Sequence, residues 1–440
     1  MAPRTVSDRP AILDGTSVRA GKSWPGWPQW DESERERLDR VLASGAWSNS
    51  RGEQAQLFAA ELAALQGADH GLPLTNGTQT LEAALIACGI GEGDEVIVPA
   101  LTFVSTATAV LAVNATPVLV EVEADSLCID VAAAEAAIGA RTRAIVAVHI
   151  GGRCCDMDAL VDLREKHGLH LIEDCAHAHG SRWRGRGAGT FGSFGSFSFE
   201  ASKLIPAGEG GALITSDESL RARAWEYADC GRVPGLSGYH HASAGSNLRM
   251  TEWQGAVLRA QMQRFPRQHQ RREESAELLD RALEQIPGLR PQAGDPRIDS
   301  RAFYVYIVHY DAAEFAGLPV AGFEAALGAE GILLGSCYPS LNRLEVFHEA
   351  RFSPRRRESA PAIDYAARRL PHAEAATTKT IWLYHPMLLA EPEEVLDIAT
   401  AMARIRQHAG AVAKRAKRDD RTRAGARIAG RLRRGLAGRP

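Results

Sequence analysis

Short apolar runs rich in Val, Ile and Leu alternate with alanine-rich or amphipathic stretches through the first half of the chain. The runs cover residues 72–77, 94–100, 116–123, 143–150, 169–177, 193–199 and 211–216. Strands alternating with helices predict an α/β fold, with a mostly parallel sheet covered by helices on both faces. Such sheets bind ligands at the carboxyl ends of their strands, so functional side chains are expected there.

The pattern changes after Trp225. A long polar helix is predicted from about Pro266 to Gln285. The later strand-like runs lie at 303–310, 332–339 and 380–386, with helices predicted near 322–330 and 391–406. This mixture predicts a second, smaller α+β domain. The expected organisation is an N-terminal extension at 1–23, a large domain at 24–265, a small C-terminal domain at 266–406 and a tail at 407–440.

One uncharged stretch of 25 residues, Val96–Val120, is long enough to span a bilayer. It contains two prolines, an asparagine and several hydroxyl side chains, which are unfavourable in lipid. We therefore interpret it as strand, helix and strand inside a buried core.

Composition changes this picture mainly at the C-terminus. The chain has 440 residues, 45% of them hydrophobic and 24% charged, which excludes dominant disorder, collagen and coiled coil. Its net charge of −3 hides a tail with 13 Lys or Arg and two Asp between Arg404 and Pro440. The tail has few large apolar residues, so we expect disorder or a loose, solvated basic helix. Nucleic-acid binding is not expected for the molecule as a whole.

The cysteines and the N-terminus indicate the cellular compartment of the protein. The seven cysteines include no CxxC pair, which argues against a disulfide framework. The first 15 residues contain no apolar run behind a basic start, so no signal peptide is predicted. These features favour the cytoplasm and no membrane association.

Lys203 lies between the apolar run at 193–199 and a glycine-rich turn. A lysine in a partly desolvated pocket can form a Schiff base with a carbonyl compound. Most lysines are exposed, so Lys203 alone is weak evidence.

Asp174 ends the run LHLIED, at the sheet edge that presents ligand groups. A buried carboxylate there requires a cationic partner, and a protonated pyridine nitrogen is one such partner. A solvated aspartate at a strand end is the alternative.

Cys175, His177 and His179 alternate in sequence and would share one face of a strand. That arrangement suggests a metal site, but no further Cys/His cluster at ligand spacing supports it. No metal is therefore predicted.

Asn76, Gly77 and Thr78 separate a strand from a helix. Backbone N–H groups at a helix start, with the Thr hydroxyl, form a phosphate seat, although many such residues only cap helices. Ser198 could add another hydroxyl, and Phe103 could stack on a planar ring or simply pack in the core.

Taken together and in this order, the motifs resemble the fold-type-I pyridoxal-phosphate enzymes. The blocks PLTNGT, DCAHAHGSRW, SFSFEASKLIPAGEGG, AGSNLRMTEWQGAVLRAQ and TIWLYHPMLLA are similar to the DegT/DnrJ/EryC1/StrS aminotransferase family, from about Trp24 to Ala403. Within that family the resemblance is to aminocyclitol aminotransferases and 3-amino-5-hydroxybenzoate synthase. It implies a large domain with a mixed, mostly parallel seven-stranded sheet.

The resemblance also implies roles for matching residues. Lys203 would hold pyridoxal 5'-phosphate and move a proton. Asp174 would pair with the pyridine nitrogen, Phe103 would stack on the ring, and His177 would lie near the phenolic oxygen. The cofactor phosphate would be held by Gly77, Thr78 and Ser198. Asn247 would reach the phosphate bound by a partner subunit, so the resemblance implies a homodimer with shared active sites.

The implied reaction transfers an amino group from L-glutamine or L-glutamate to a keto-cyclitol or keto-sugar in specialised metabolism. A diphosphate on the acceptor could be held by Arg153, Arg232, Arg249 or Arg343, and either Arg249 or Tyr239 could hold the donor carboxylate.

Two alternatives remain. One is a dehydration and aromatisation of an amino-shikimate-type ring with the same cofactor. The other is a non-catalytic regulator that binds nucleic acid through its basic tail, which the Lys203 and Asp174 pair disfavours.

Overall fold

The computed structural model of the protein describes residues 8–233, 235, 239–348 and 363–419. Its α-helices are α1 (Glu32–Ser44), α2 (Gln54–Gln66), α3 (Gly77–Ala87), α4 (Ser105–Ala112), α5 (Val131–Ala136), α6 (Met157–His167), α7 (Glu218–Ala228), α8 (Glu252–Leu283), α9 (Val320–Ala329), α10 (Glu345–His348), α11 (Pro371–Lys379) and α12 (Pro392–Gln407). Its strands are β1 (His70–Leu74), β2 (Glu95–Pro99), β3 (Thr116–Val120), β4 (Thr142–Val148), β5 (His170–Asp174), β6 (Arg182–Trp183), β7 (Arg186–Gly187), β8 (Phe194–Ser198), β9 (Gly211–Thr215), β10 (Leu289–Pro291), β11 (Ile298–Ser300), β12 (Val305–Tyr310), β13 (Leu334–Gly335) and β14 (Thr380–Tyr384).

The largest sheet has seven strands in the order β1-β9-β8-β5-β4-β2-β3. Strands β3, β2, β4, β5 and β8 are parallel, whereas β9 is antiparallel to both β8 and β1. Buried aliphatic residues fill these strands because helices cover both faces. The predicted α/β class with a mixed, mostly parallel sheet is confirmed.

The second half of the chain forms a four-stranded antiparallel sheet in the order β10-β12-β14-β13. Helices α9 and α12 pack near it, around a hydrophobic cluster that includes Tyr306, Phe315 and Phe323. A third, three-stranded sheet joins β11 to β6 and β7.

The uncharged stretch Val96–Val120 folds as β2, α4 and β3, with most of its side chains buried. The strand–helix–strand interpretation is therefore correct. Among the described residues, no helix is both long and apolar enough to cross a bilayer.

Helix α8 begins 14 residues before the predicted start at Pro266 and passes through this proline. The true start is marked by a capping box, in which Thr251 and Gln254 bond each other's backbone N–H groups. Pro266 removes one intrahelical hydrogen bond and crowds the preceding turn, but the helix has 32 residues and buried side chains along its length offset this cost. The predicted division at 265/266 falls inside this continuous helix and stays a prediction.

The chain remains helical over residues 409–419, beyond the predicted end of the C-terminal domain at 406. Val412 and Ala413 are buried in the same hydrophobic cluster as Phe323. This part of the predicted tail is therefore a packed helix, and its Ala416 lies against Gly322 of α9. Residues 420–440 lie outside the described ranges.

Candidate active site

A cavity of about 960 Å³ opens at the carboxyl ends of β4, β5 and β8. The residues at these strand ends are Val148, Asp174 and Ser198, and the start of α3 faces them. The other lining residues include Phe103, Ala176, His177, Glu200, Ser202, Lys203, Arg249, Tyr304 and Tyr338. This is the edge of the sheet where the fold predicts a ligand.

Lys203 lies in the turn that follows β8, and its side chain is half-buried in the cavity. Its Nζ is 4.1 Å from the centre of the Tyr304 ring. Burial lowers the pKa of Lys203 to about 8, against the opposing negative charges of Asp174 and Glu200. The neutral, nucleophilic amine is therefore accessible near neutral pH.

Asp174 is the last residue of β5 and is 8% exposed. Its carboxylate accepts hydrogen bonds from Thr106 Oγ1 at 2.9 Å and from the Ala176 backbone N–H at 3.2 Å. Burial raises the pKa of Asp174, while these two hydrogen bonds and the Lys203 charge oppose the rise. A cation placed beside Asp174 would stabilise its charged form.

His177 is buried between two aromatic rings from the second half of the chain. Its ring stacks on Tyr304 with centroids 4.1 Å apart, and its Nε2 lies 3.4 Å from the Tyr338 hydroxyl. Its Nδ1 accepts a hydrogen bond from the Gly151 N–H at 3.3 Å. Burial, together with the Lys203 charge, holds the pKa of His177 well below its usual range, so the ring is neutral.

The start of α3, where the sequence predicts a phosphate site, lies at the cavity. Asn76 caps the helix by accepting from the Gln79 N–H at 2.9 Å, which leaves the first N–H groups of Gly77 and Thr78 without an intrahelical partner. A Cβ at Gly77 would lie 2.7 Å from the Cβ of Ser198, so glycine is required for this close approach. Gly77, Thr78 and Ser198 all line the cavity.

Phe103 also lines the cavity, and it is 53% exposed. Its ring centre lies 5.9 Å from that of Tyr338. An exposed aromatic ring at the mouth of a cavity is not explained by core packing, so the alternative that Phe103 only packs in the core is wrong.

Of the three other predicted site residues, one lines the cavity and two lie outside its lining. Arg249 lines the cavity, but its guanidinium is bound by Asp229. Tyr239 is 95% exposed, contacts His241 and is not part of the lining. Asn247 is exposed and is also outside the lining of its own chain's cavity.

The sequence did not predict that His385 and Arg272 form hydrogen bonds next to Lys203. His385 lies in the segment that follows β14, and its Nε2–H donates to the Ser202 carbonyl at 3.0 Å. Its Nδ1 accepts from Arg272 Nη2 at 3.3 Å, which fixes the tautomer. Arg272 is fully buried, and its Nε and Nη1 have no hydrogen-bond partner among the described residues.

The metal arrangement suggested by Cys175, His177 and His179 depends on a continuing strand, but β5 ends at Asp174. His179 instead donates to the Ser198 carbonyl through Nε2 at 3.0 Å. In the described part of the chain, the one group with metal-ligand spacing is His149, Glu173 and Cys175. Its Glu173 carboxylate already accepts from three backbone N–H groups of the 189–192 loop, so this group has a structural explanation.

Comparison with known proteins gives a consistent result. The chain is 40% identical over 420 residues to a protein of Micromonospora echinospora named as a putative L-glutamine:3-amino-2,3-dideoxy-scyllo-inosose aminotransferase, covering 93% of this chain and 100% of the relative. It is also 40% identical over 417 residues to the L-glutamine:2-deoxy-scyllo-inosose aminotransferase of Streptoalloteichus tenebrarius, covering 91% of this chain and 98% of the relative.

Among solved structures, that of 3-amino-5-hydroxybenzoic acid synthase matches with a TM-score of 0.80 and 37% identity, covering 87% of this chain and 98% of that one. This similarity and the mixed seven-stranded sheet confirm the fold-type-I architecture. The family model of the DegT/DnrJ/EryC1/StrS aminotransferases matches residues 28–403. The chain is therefore an enzyme of the DegT/DnrJ/EryC1/StrS aminotransferase family.

Proposed function

We propose that this enzyme uses pyridoxal 5'-phosphate to transfer an amino group from L-glutamine to a keto-cyclitol. The observation that carries the proposal is the half-buried Lys203 facing the buried Asp174 in one cavity. The names of the two relatives at 40% identity supply the donor and the class of acceptor.

The residues present fit this cofactor. The start of α3 offers unpaired N–H groups to a phosphate, and a side chain at Gly77 would fill that cradle. Asp174 offers a buried carboxylate to a pyridinium nitrogen, and the exposed Phe103 ring can cover one face of a planar ring. The cavity, at about 960 Å³, has room for both a cofactor and a small substrate.

When bound, the cofactor supplies an electron sink for bond breaking at the substrate carbon. Lys203 would hold the cofactor through its amine and would move a proton at its Nζ, because its lowered pKa allows both protonation states near neutral pH. Asp174 would keep the ring nitrogen protonated. His177, which burial holds neutral, would hydrogen bond the phenolic oxygen.

Two further assignments belong to this proposal. The enzyme acts as a homodimer, in which Asn247 reaches the phosphate site of the other subunit; the exposure of Asn247 outside its own cavity supports this. The enzyme works in the cytoplasm, which is consistent with seven unpaired cysteine thiols.

A second candidate reaction is the dehydration and aromatisation of an amino-shikimate-type ring. The structural similarity to 3-amino-5-hydroxybenzoic acid synthase favours it. Product analysis separates the two reactions, since an aliphatic amine supports transfer, whereas loss of water with new aromatic absorbance supports the second reaction.

The test of the proposed function is the visible spectrum of the purified enzyme before and after L-glutamine or L-glutamate is added. We expect a cofactor band in the visible range that L-glutamine bleaches, and L-glutamate bleaches more slowly. If the band is present but neither donor changes it, aminotransfer is refuted. If no band forms even after pyridoxal 5'-phosphate is added, the cofactor assignment is refuted.

A further inference from the structure

The charges that line the cavity are predominantly negative. The ionisable lining groups, apart from the neutral His177 and the tyrosines, are Glu82, Asp174, Glu200, Lys203, Glu209 and Arg249. The proposed function assigns Lys203 and Asp174 to the cofactor, and Asp229 already binds Arg249. The described lining therefore carries more carboxylates than cations.

The arginines considered for a diphosphate are engaged elsewhere. Arg153 is buried and donates to the carbonyls of Ala293 and Cys154. Arg232 pairs with Asp229 at 3.0 Å, and Arg343 pairs with Glu374 at 2.9 Å. None of these three lines the cavity. Arg249 is the arginine among the described lining residues, and Asp229 already pairs with it.

Glu200 lines the cavity and precedes Lys203 by three residues in the sequence. Its Oε2 accepts from the Ser202 N–H at 3.0 Å and from the Ser202 hydroxyl at 2.5 Å. The Tyr304 hydroxyl donates to Ser202 Oγ at 2.9 Å, and this bond orients the Ser202 hydroxyl. The other carboxylate oxygen, Oε1, accepts no hydrogen bond from the described residues, and Glu200 is part of the cavity lining.

We propose that Glu200 binds an ammonium group on the acceptor, so that the preferred acceptor is a keto-cyclitol that already carries an amine. This inference rests on the proposed function and narrows its substrate class. A carboxylate oriented by two hydrogen bonds binds an ammonium group through a charge-assisted hydrogen bond, which a neutral hydroxyl cannot match. The relatives are named for both kinds of acceptor, an amino-substituted inosose and an unsubstituted one.

The substitution Glu200→Gln tests the charge alone, because glutamine retains an oxygen that can accept from Ser202. Steady-state rates are measured with 3-amino-2,3-dideoxy-scyllo-inosose and with 2-deoxy-scyllo-inosose, each with excess L-glutamine. We expect the wild-type kcat/KM to be higher for the amino acceptor. Glu200→Gln should lower the ratio of the two kcat/KM values, amino acceptor over neutral acceptor, by about tenfold or more, as loss of a hydrogen bond to a charged group does. The effect of the Glu200 charge on Lys203 is common to both acceptors and cancels in this ratio.

The matched control is Glu165→Gln, which removes an exposed carboxylate on α6 far from the cavity and should alter neither acceptor's rate. An equal loss for both acceptors would show that Glu200 only builds the turn, and a wild-type preference for the neutral acceptor would also overturn the inference. Bleaching of the cofactor band by L-glutamine is recorded for the same samples. This measurement distinguishes a failure of the proposed function from a failure of the inference about Glu200.

Discussion

At the scale of single residues, the site depends on how burial tunes Lys203. Its pKa of about 8 is the result of desolvation, which favours the neutral amine, and of nearby carboxylates, which favour the ammonium form. The same amine in water would be protonated at any physiological pH, since its ordinary pKa is 10.5.

This balance predicts a pH dependence for cofactor capture. The rate at which cofactor-free enzyme develops the visible band with pyridoxal 5'-phosphate should rise with pH, with a midpoint near 8, because only the neutral amine attacks the aldehyde. Asp174→Asn should lower the midpoint, because it removes a negative charge that stabilises the ammonium form. Stopped-flow absorbance measures both; a midpoint near 10.5, or no change in the variant, would contradict the assignment.

The contact between Arg272 and His385 predicts energetic coupling. His385→Phe removes the hydrogen bond to Arg272 Nη2, so a fully buried cation loses its partner, and the free energy of unfolding should fall by about 1–3 kcal/mol. Adding Arg272→Met should recover most of that loss, since the unpaired charge is gone. Chemical denaturation of both single variants and the double variant measures the coupling, and strictly additive effects would refute it.

Activity in the same variants separates positioning from stability. His385 fixes the Ser202 carbonyl, one residue before Lys203. The double variant should therefore keep a low kcat after its stability is recovered. A full recovery of kcat would mean that His385 does not position Lys203.

Sequence reasoning predicted those cavity-lining residues whose local context is informative. Lys203, Asp174 and Gly77 each lie at or just after the end of an apolar strand, and strand ends mark the binding edge of a parallel sheet. Tyr304 and His385 were missed because nothing in their own segments points to the cavity. They reach it only through the packing of the second half of the chain against the first.

At the scale of elements, the start of α3 and the end of β8 approach so closely that no side chain fits between them. Gly77→Ala should therefore force them apart, lowering the free energy of unfolding by about 1–3 kcal/mol and weakening cofactor binding. Thermal denaturation and a fluorescence titration with pyridoxal 5'-phosphate measure the two effects.

Gly410→Ala is the matched control for this substitution. Gly410 lies in the helix at 409–419, and a Cβ added there would meet no atom within 4 Å. Alanine should therefore leave cofactor affinity unchanged and slightly favour the helix. Equal cofactor affinity in Gly77→Ala and Gly410→Ala would contradict the proposed phosphate seat.

Element boundaries were predicted well where strands are fully buried and poorly where tertiary packing overrides local signals. The run at 116–123 gave a strand at Thr116–Val120, because continuous Val and Leu residues allow little else between helices. Pro266 was a misleading start signal for α8, since packing against α2 and α1 stabilises the helix on its N-terminal side.

At the scale of the whole molecule, one buried carboxylate is among the groups that attach the N-terminal segment to the C-terminal half. Glu330 accepts from the backbone N–H groups of Ala11 and Val18 and pairs with Arg404 at 3.3 Å. Glu330→Ala should lower the free energy of unfolding by about 3–5 kcal/mol, because the partner charge remains buried. It should also speed proteolysis within residues 8–23.

The control for Glu330→Ala is Glu277→Ala. Glu277 is exposed and its oxygen is 3.9 Å from Arg281, so its loss should change stability by less than about 0.5 kcal/mol. Thermal denaturation and timed proteolysis compare the variants, and similar behaviour of the two would refute the fastening role of Glu330.

The proposed homodimer predicts complementation between inactive variants. Lys203→Ala and Asn247→Ala should each be impaired, but a mixed dimer should contain one site with both native residues. Unfolding and refolding the two variants together should then restore up to about a quarter of wild-type activity, because half of the dimers are mixed and each has one intact site. No recovery, with dimers confirmed by sedimentation, would contradict shared sites.

The packed helix at 409–419 affects how the protein can be shortened or labelled. Gly322 in α9 leaves room for Ala416, since a Cβ there would lie 3.2 Å from the Ala416 Cβ, and Val412 is buried in the same cluster as the rest of α9. Ending the chain at Gln407 would uncover this apolar surface and favour aggregation. A purification tag or fluorescent label placed after residue 419 would leave the surface covered.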